Sequence, residues 1–216
     1  VRSLEPLARE PDAPAWDVVH HWGTARAQDP RMATVVLPTG PDATPALQQA
    51  ARALALRRHG LRLITDREAL DRPDADYIVV GAPGANLLAS RFAPLAPLHQ
   101  EEDGFQIGAV RLEGDEVGLV AVLPGPADHT WTWISGTNAR MATLATAHDR
   151  DHGWVAVSSR GDVCTSGHFP PNPMLAPTPR TLSCQPGPVH RPWVPRALGR
   201  TLAWSAIVPH ELWPDR

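Results

Sequence analysis

With 216 residues, 43% hydrophobic and 20% charged, the chain is long and apolar enough to bury a substantial core, which excludes a disordered chain. Its net charge of -3 and pI near 6.4 lack the basic surplus of a nucleic-acid footprint. All 20 basic residues are arginine, so Schiff-base, P-loop-lysine and Ser-Lys chemistry are excluded.

Residues 1–32 read as an N-terminal arm. It is rich in Pro and Asp, then carries the apolar piece Trp16-Asp17-Val18-Val19 and the pair His20-His21. The chain begins at Val1 without Met, which reads as a mature product whose leader or upstream domain has been removed. No apolar stretch approaches the ~18–20 residues of a membrane span. The regular domain is expected over 33–160. Ala33-Thr34-Val35-Val36-Leu37 is a short continuous apolar run, as in a buried parallel strand. Thr44 and Pro45 open a helix whose Leu47, Ala50, Ala51 and Leu54 share one face, and Gly60 stops it. Leu61–Thr65 and Tyr77–Gly81 read as strands, separated by an acidic loop from Asp66 to Asp76. Ala85–Phe92 reads as a short helix.

From Phe105 the apolar period becomes two. Phe105–Leu112 and Val117–Leu123, joined through Glu113-Gly114-Asp115, read as a β-hairpin whose second strand is apolar enough for the main sheet. Trp131–Ile134 is a strand, Thr137 caps a helix reaching His148, and Trp154–Val157 is a further strand. Trp131, Trp133, Trp154 and Trp204 sit in apolar runs and read as core. The sum is an α/β fold: a largely parallel sheet flanked by helices, with an inserted β-hairpin and a Pro-rich, irregular C-terminal tail. Within that tail, Thr201–Val208 reads as a possible returning strand.

Residues 161–216 form a Pro- and Trp-rich extension expected to pack on the domain. The two cysteines of the chain, Cys164 and Cys184, flank a loop that secondary structure would not hold. A disulfide there closes a loop of about twenty residues and contributes ~3 kcal/mol in the chain-entropy model. An even cysteine count beside irregular structure fits an oxidising compartment, hence an exported protein of the cell envelope or extracellular space.

Ala75-Asp76-Tyr77-Ile78-Val79-Val80-Gly81-Ala82-Pro83, with Asn86 following, continues in Leu123-Pro124-Gly125-Pro126 and Trp133-Ile134-Ser135-Gly136-Thr137-Asn138. It ends in Gly153-Trp154-Val155-Ala156-Val157 and Gly167-His168-Phe169. Over roughly residues 33–170 this series resembles an α/β region found downstream of the hydrolase domain in bacterial prolyl-oligopeptidase-type esterases. The resemblance implies an accessory domain. The Gly-x-Ser-x-Gly elbow of the hydrolase domain is missing, since Ile134-Ser135-Gly136-Thr137 lacks the flanking glycine.

Three loops, Thr39–Asp42, Gly81–Asn86 and Ser135–Asn138, each leave a predicted strand and enter a helix. Such loops gather at the carboxyl edge of an open sheet, where ligands bind and helix N-terminal amides favour anions. The candidate ligand-binding residues are therefore Gly40, Gly84, Asn86, Ser135, Thr137 and Asn138. The ordinary alternative is that the glycines serve turns and Thr137 and Asn138 serve capping. His148 and His152 have a zinc-like i, i+4 spacing, but histidine is also common at a helix C-terminus. Asp162, Ser166 and His168 hold the ingredients of a triad at a spacing that seldom gives its geometry. Glu101-Glu102-Asp103 lacks a calcium-loop frame and reads as a solvated loop. No motif calls for a metal or cofactor. The expectation is an exported, non-catalytic module binding a partner protein or glycan. The alternatives are a secreted serine-type hydrolase with its site on the loop rim, and a subunit of an envelope assembly using the Trp-bearing tail (Trp193 to Trp213).

Overall fold

The computed structural model describes residues 33–58, 60–101, 103–126, 129–148, 153–169 and 180–184. All of them belong to the first of two compact units, which ends at Pro186; Gly187–Arg216 lies outside the described residues. The N-terminal arm, the returning strand expected at 201–208 and Trp204 also lie outside them.

The first parallel strands are β1 (Thr34–Leu37), β2 (Leu63–Thr65) and β3 (Tyr77–Val80). Helix α1 (Pro45–Arg57) joins β1 to β2. Its start is as the sequence dictates: the Thr44 hydroxyl accepts from the Leu47 N–H, and Pro45 stands in the first turn. Gly60 follows with φ of 75°, a conformation that suits glycine. The expected acidic loop instead opens with a short helix, α2 (Asp66–Leu70). Thr65 and Glu68 form a reciprocal capping box, which makes so short a helix tenable. Asn86 then caps α3 (Leu87–Phe92).

Residues 98–113 form a second sheet. Strands β4 (Leu98–Glu101), β5 (Gly104–Ile107) and β6 (Val110–Glu113) run antiparallel. The hairpin therefore exists, but with a different turn from the one expected. Gly108, at φ of 56°, reverses the chain between Ile107 and Val110, splitting the expected eight-residue strand into two. The expected second arm, β7 (Gly118–Pro124), leaves for the main sheet, where six of its seven residues are buried.

There β7 pairs antiparallel with β8 (Thr130–Gly136) and β9 (Trp154–Val157). Helix α4 (Ala139–Ala145) connects β8 to β9 and packs across β7. The tail contributes β10 (Val163–Gly167), antiparallel to β9, and β11 (Arg180–Ser183), parallel to β6. The seven-stranded order is β10-β9-β7-β8-β3-β1-β2 and the four-stranded order is β11-β6-β5-β4.

Two expectations are corrected here. The main sheet is mixed and not largely parallel: β8-β3-β1-β2 is parallel, while β10-β9-β7-β8 is antiparallel throughout. An apolar run such as β7 shows burial on both faces but not direction, so the sequence pattern could not distinguish the two. The beginning of the tail is not wholly irregular either, because strand pairing with β9 and β6 satisfies its backbone despite the prolines nearby.

The main sheet is covered on both faces. One carries α1 and α4, with Leu47, Leu54 and Ala142 on Val35, Ile78, Val120 and Ile134. The other carries α3 and the small sheet, with Phe92, Leu98, Phe105 and Leu112 on Val79, Leu119, Trp131, Trp133 and Trp154. Those three tryptophans are core, as expected. The indole N–H groups of Trp131 and Trp133 donate to the Ala75 and Gly81 carbonyls at 2.9 and 2.8 Å, so both rings are buried without an orphan donor. Among the described residues no helix is long and apolar enough to cross a membrane.

Candidate functional site

The strand order turns around at β1. From β1 the chain enters α1 on one face, and from β3 it enters α3 on the other. The crevice between the carboxyl ends of two such strands is where an open α/β sheet ordinarily receives a ligand. Gly40 and Gly84 do come together there, one from each loop. They close the crevice upon itself: the Gly40 N–H donates to the Ala85 carbonyl at 2.9 Å, and the Asp42 N–H to the Gly84 carbonyl at 3.1 Å. A Cβ on Gly40 would lie 2.6 Å from the Gly84 carbonyl oxygen, so the glycine is required by the neighbouring loop.

Beside this contact stands a residue that the sequence reading left inside a loop. Asp66, the first residue of α2, is fully buried. Its Oδ2 accepts from the N–H groups of Thr39 and Leu87, each at 2.8 Å, and its Oδ1 accepts from the Thr39 hydroxyl. One carboxylate thus joins the loops that end β1, β2 and β3. It occupies the donors that would otherwise face an incoming anion. The available sequence signal was the Thr65-x-x-Glu68 capping pattern immediately after a strand, which makes Asp66 a first-turn residue at the carboxyl edge.

Asn86 is buried and committed. Its amide donates to the Val80 carbonyl at 3.0 Å, and its Oδ1 caps α3 by accepting from the Leu88 and Ala89 N–H groups. Ser135 is also buried, and its hydroxyl donates to Gln100 Oε1 at 3.2 Å across to the small sheet. Asn138, not Thr137, caps α4, accepting from the Met141 N–H at 3.0 Å. Thr137 instead turns to the β6–β7 connection, donating to the Asp115 carbonyl at 2.6 Å and accepting from the Val117 N–H at 3.1 Å. Asn138 is exposed, and Thr137 is half-buried. Gly40, Gly84 and Asn86 therefore fall in a closed half at β1 and β3, Ser135 is buried within β8, and Thr137 and Asn138 lie in a more open half after β8.

The open half adjoins a polar cleft of about 500 Å³, walled by Glu113, Asp115, Glu116, Ser159, Ser183 and Cys184. Three of the carboxylates lining it are neutralised locally: Glu113 and Asp103 pair with Arg111, and Glu116 with Arg140 at 2.7 Å. Glu101, then Asp103, hold the Arg111 guanidinium above its ordinary pKa. Glu101 and Asp103 thus form ion pairs across β4–β6. A second cleft, of about 330 Å³, lies at the opposite, amino end of β1 and β3 beside Tyr77 and Arg72.

The remaining motifs do not assemble. His148 Nε2 is 2.8 Å from the Gly161 carbonyl oxygen, while His152 and His20-His21 lie outside the described residues. Asp162, Ser166 and His168 are all exposed, with Ser166 paired opposite Val155 in β10. Among the described residues no group of three or more His, Cys, Asp or Glu side chains could hold a metal ion. The disulfide is formed: Cys164 and Cys184 are bonded with Cα atoms 5.4 Å apart.

No family model and no curated protein matches the chain.

Proposed function

We infer that this chain is an exported, non-catalytic α/β module that binds a partner protein or a surface glycan at the cell envelope or outside the cell. The observation carrying the reading is the buried Asp66 carboxylate, which takes up the Thr39 and Leu87 donors at the very crevice where an α/β enzyme would place its ligand. The nearest approach to a nucleophile, Ser135, is fully buried and is bonded to an amide oxygen, which cannot serve as a general base. The disulfide fits an oxidising compartment. The likeness to an accessory region of esterases agrees with a binding role and supplies no catalytic residue.

Ligand contact is assigned to the open half of the rim, at Asn138 and Thr137 beside the polar cleft. Hydroxyls and amides of a glycan or an extended peptide would find donors and acceptors there. The test pairs an activity with a binding measurement. Purified protein is offered a short-chain nitrophenyl ester and, separately, an immobilised oligosaccharide array. The expected result is no ester turnover together with glycan retention that falls in Asn138→Ser, which keeps the helix cap but shortens the exposed side chain. Ester turnover abolished by Ser135→Ala would overturn the reading in favour of a hydrolase.

A further inference from the structure

The bond between Cys164 and Cys184 joins the outermost strands of two different sheets. Cys164 lies in β10, at the edge of the seven-stranded sheet, as the extra residue of a β-bulge between Val163 and Thr165. Cys184 directly follows β11, at the edge of the four-stranded sheet. We propose that this disulfide is a redox latch that holds β11 against β6, so that reduction by a dithiol releases β11 and bares the β6 edge beside the polar cleft.

Among the described residues little else holds strand β11: it has four residues and a single partner strand, and its ladder is parallel. Arg180, Thr181 and Ser183 are exposed, and Leu182 alone packs partly on the core. The end nearest the bond is its firm end: Cys184 is 3% exposed, and its N–H donates to the Glu113 carbonyl at 3.0 Å. A four-residue parallel edge strand with mostly exposed side chains gains little from its own pairing. The main sheet has no such dependence. Trp131, Trp133 and Trp154 are buried with Phe92, Leu98, Phe105 and Leu112 of α3 and β4–β6 in a large core, to which Cys184 and the partly buried Cys164 add only two side chains.

Cys184 borders the cleft of about 500 Å³, and Cys164 is only half-buried, so the attacking thiolate approaches the bond from the Cys164 side. In the exchange, that thiolate attacks one sulfur and forms a mixed disulfide, displacing the other cysteine as a thiolate. The second thiol of the reductant then resolves the mixed disulfide. Cys164 and Cys184 each end as a thiol carrying one proton, and the dithiol leaves as its own disulfide, having supplied two electrons and two protons.

The test is hydrogen exchange on the folded protein, read by mass spectrometry, before and after treatment with dithiothreitol and again after reoxidation. The expected result is that amides of 180–184 and the β6 amides facing them exchange roughly tenfold faster or more on reduction. Residues 119–123, 131–136 and 154–157 keep their protection, and reoxidation restores the first group. The variant C164S/C184S should exchange like the reduced protein without any reductant. Unchanged protection over 180–184 in both reduced forms would overturn the latch. So would loss of protection throughout the main sheet, which would make the bond a global staple.

Discussion

Removing the Asp66 carboxylate is the sharpest way to probe the closed crevice. In Asp66→Ala the N–H groups of Thr39 and Leu87 and the Thr39 hydroxyl lose one shared acceptor at a buried position. Each stranded donor costs about 1–3 kcal/mol, and relief from burying a carboxylate offsets part of the sum. The net loss expected is about 3–5 kcal/mol. For a domain of this size that lowers the melting temperature by roughly 6–20 °C. Asp66→Asn should lose only about 1 kcal/mol, because an amide oxygen placed where Oδ2 stands keeps both N–H bonds. The amide nitrogen can then donate to the Thr39 hydroxyl. The vacated receptor in Asp66→Ala should accept a small carboxylate, so added formate should raise its melting temperature more than it raises that of the wild type. Thermal unfolding followed by circular dichroism, with and without formate, reads all three effects. If Asp66→Ala melted within a degree or two of the wild type, the view of Asp66 as the group that closes the crevice would be refuted.

Tyr77 is the chain's single tyrosine, and its hydroxyl donates to the Arg72 carbonyl. Burial, and then Asp74, push its pKa above the ordinary value. Its contribution to stability is therefore complete below the unfolded value of about 10 and is lost as pH rises through the higher folded value. Phenolate absorbance of the native protein should lag that of the denatured chain, and coincident curves would contradict the burial. Glu68 is displaced the other way, held low by the Thr65 backbone N–H and then the Thr65 hydroxyl. Its stabilisation of α2 is present above about pH 4.3 and fades as pH falls through the lower folded value; in Glu68→Gln the exchange rates of α2 amides should lose this acid dependence. Gly40→Ala should cost about 1–3 kcal/mol in chemical denaturation, since its Cβ meets the neighbouring loop's backbone. Gly60→Ala, where nothing lies within 4 Å, should cost only about 1 kcal/mol, for its left-handed φ.

What the sequence determined by itself was local. Thr44, Pro45 and Gly60 mark the ends of α1 because caps and left-handed stops depend on a few adjacent residues. The tryptophans of β8 and β9 declare themselves as core through the apolar runs around them. The cysteine pair was legible because two thiols flanked one irregular stretch. Asp66, in contrast, looks like any acidic loop residue until β1, β2 and β3 are laid side by side and their ends meet around one carboxylate. Gly40 and Gly84 are 44 positions apart, and no local pattern announces that one loop fills the space of the other. The same holds for β7, whose apolar run fits either strand direction until β8 and β9 fix it antiparallel. Contacts between distant segments decide these features. Their free energy belongs to pairs of surfaces that only the folded chain brings together, so neither segment carries the information alone.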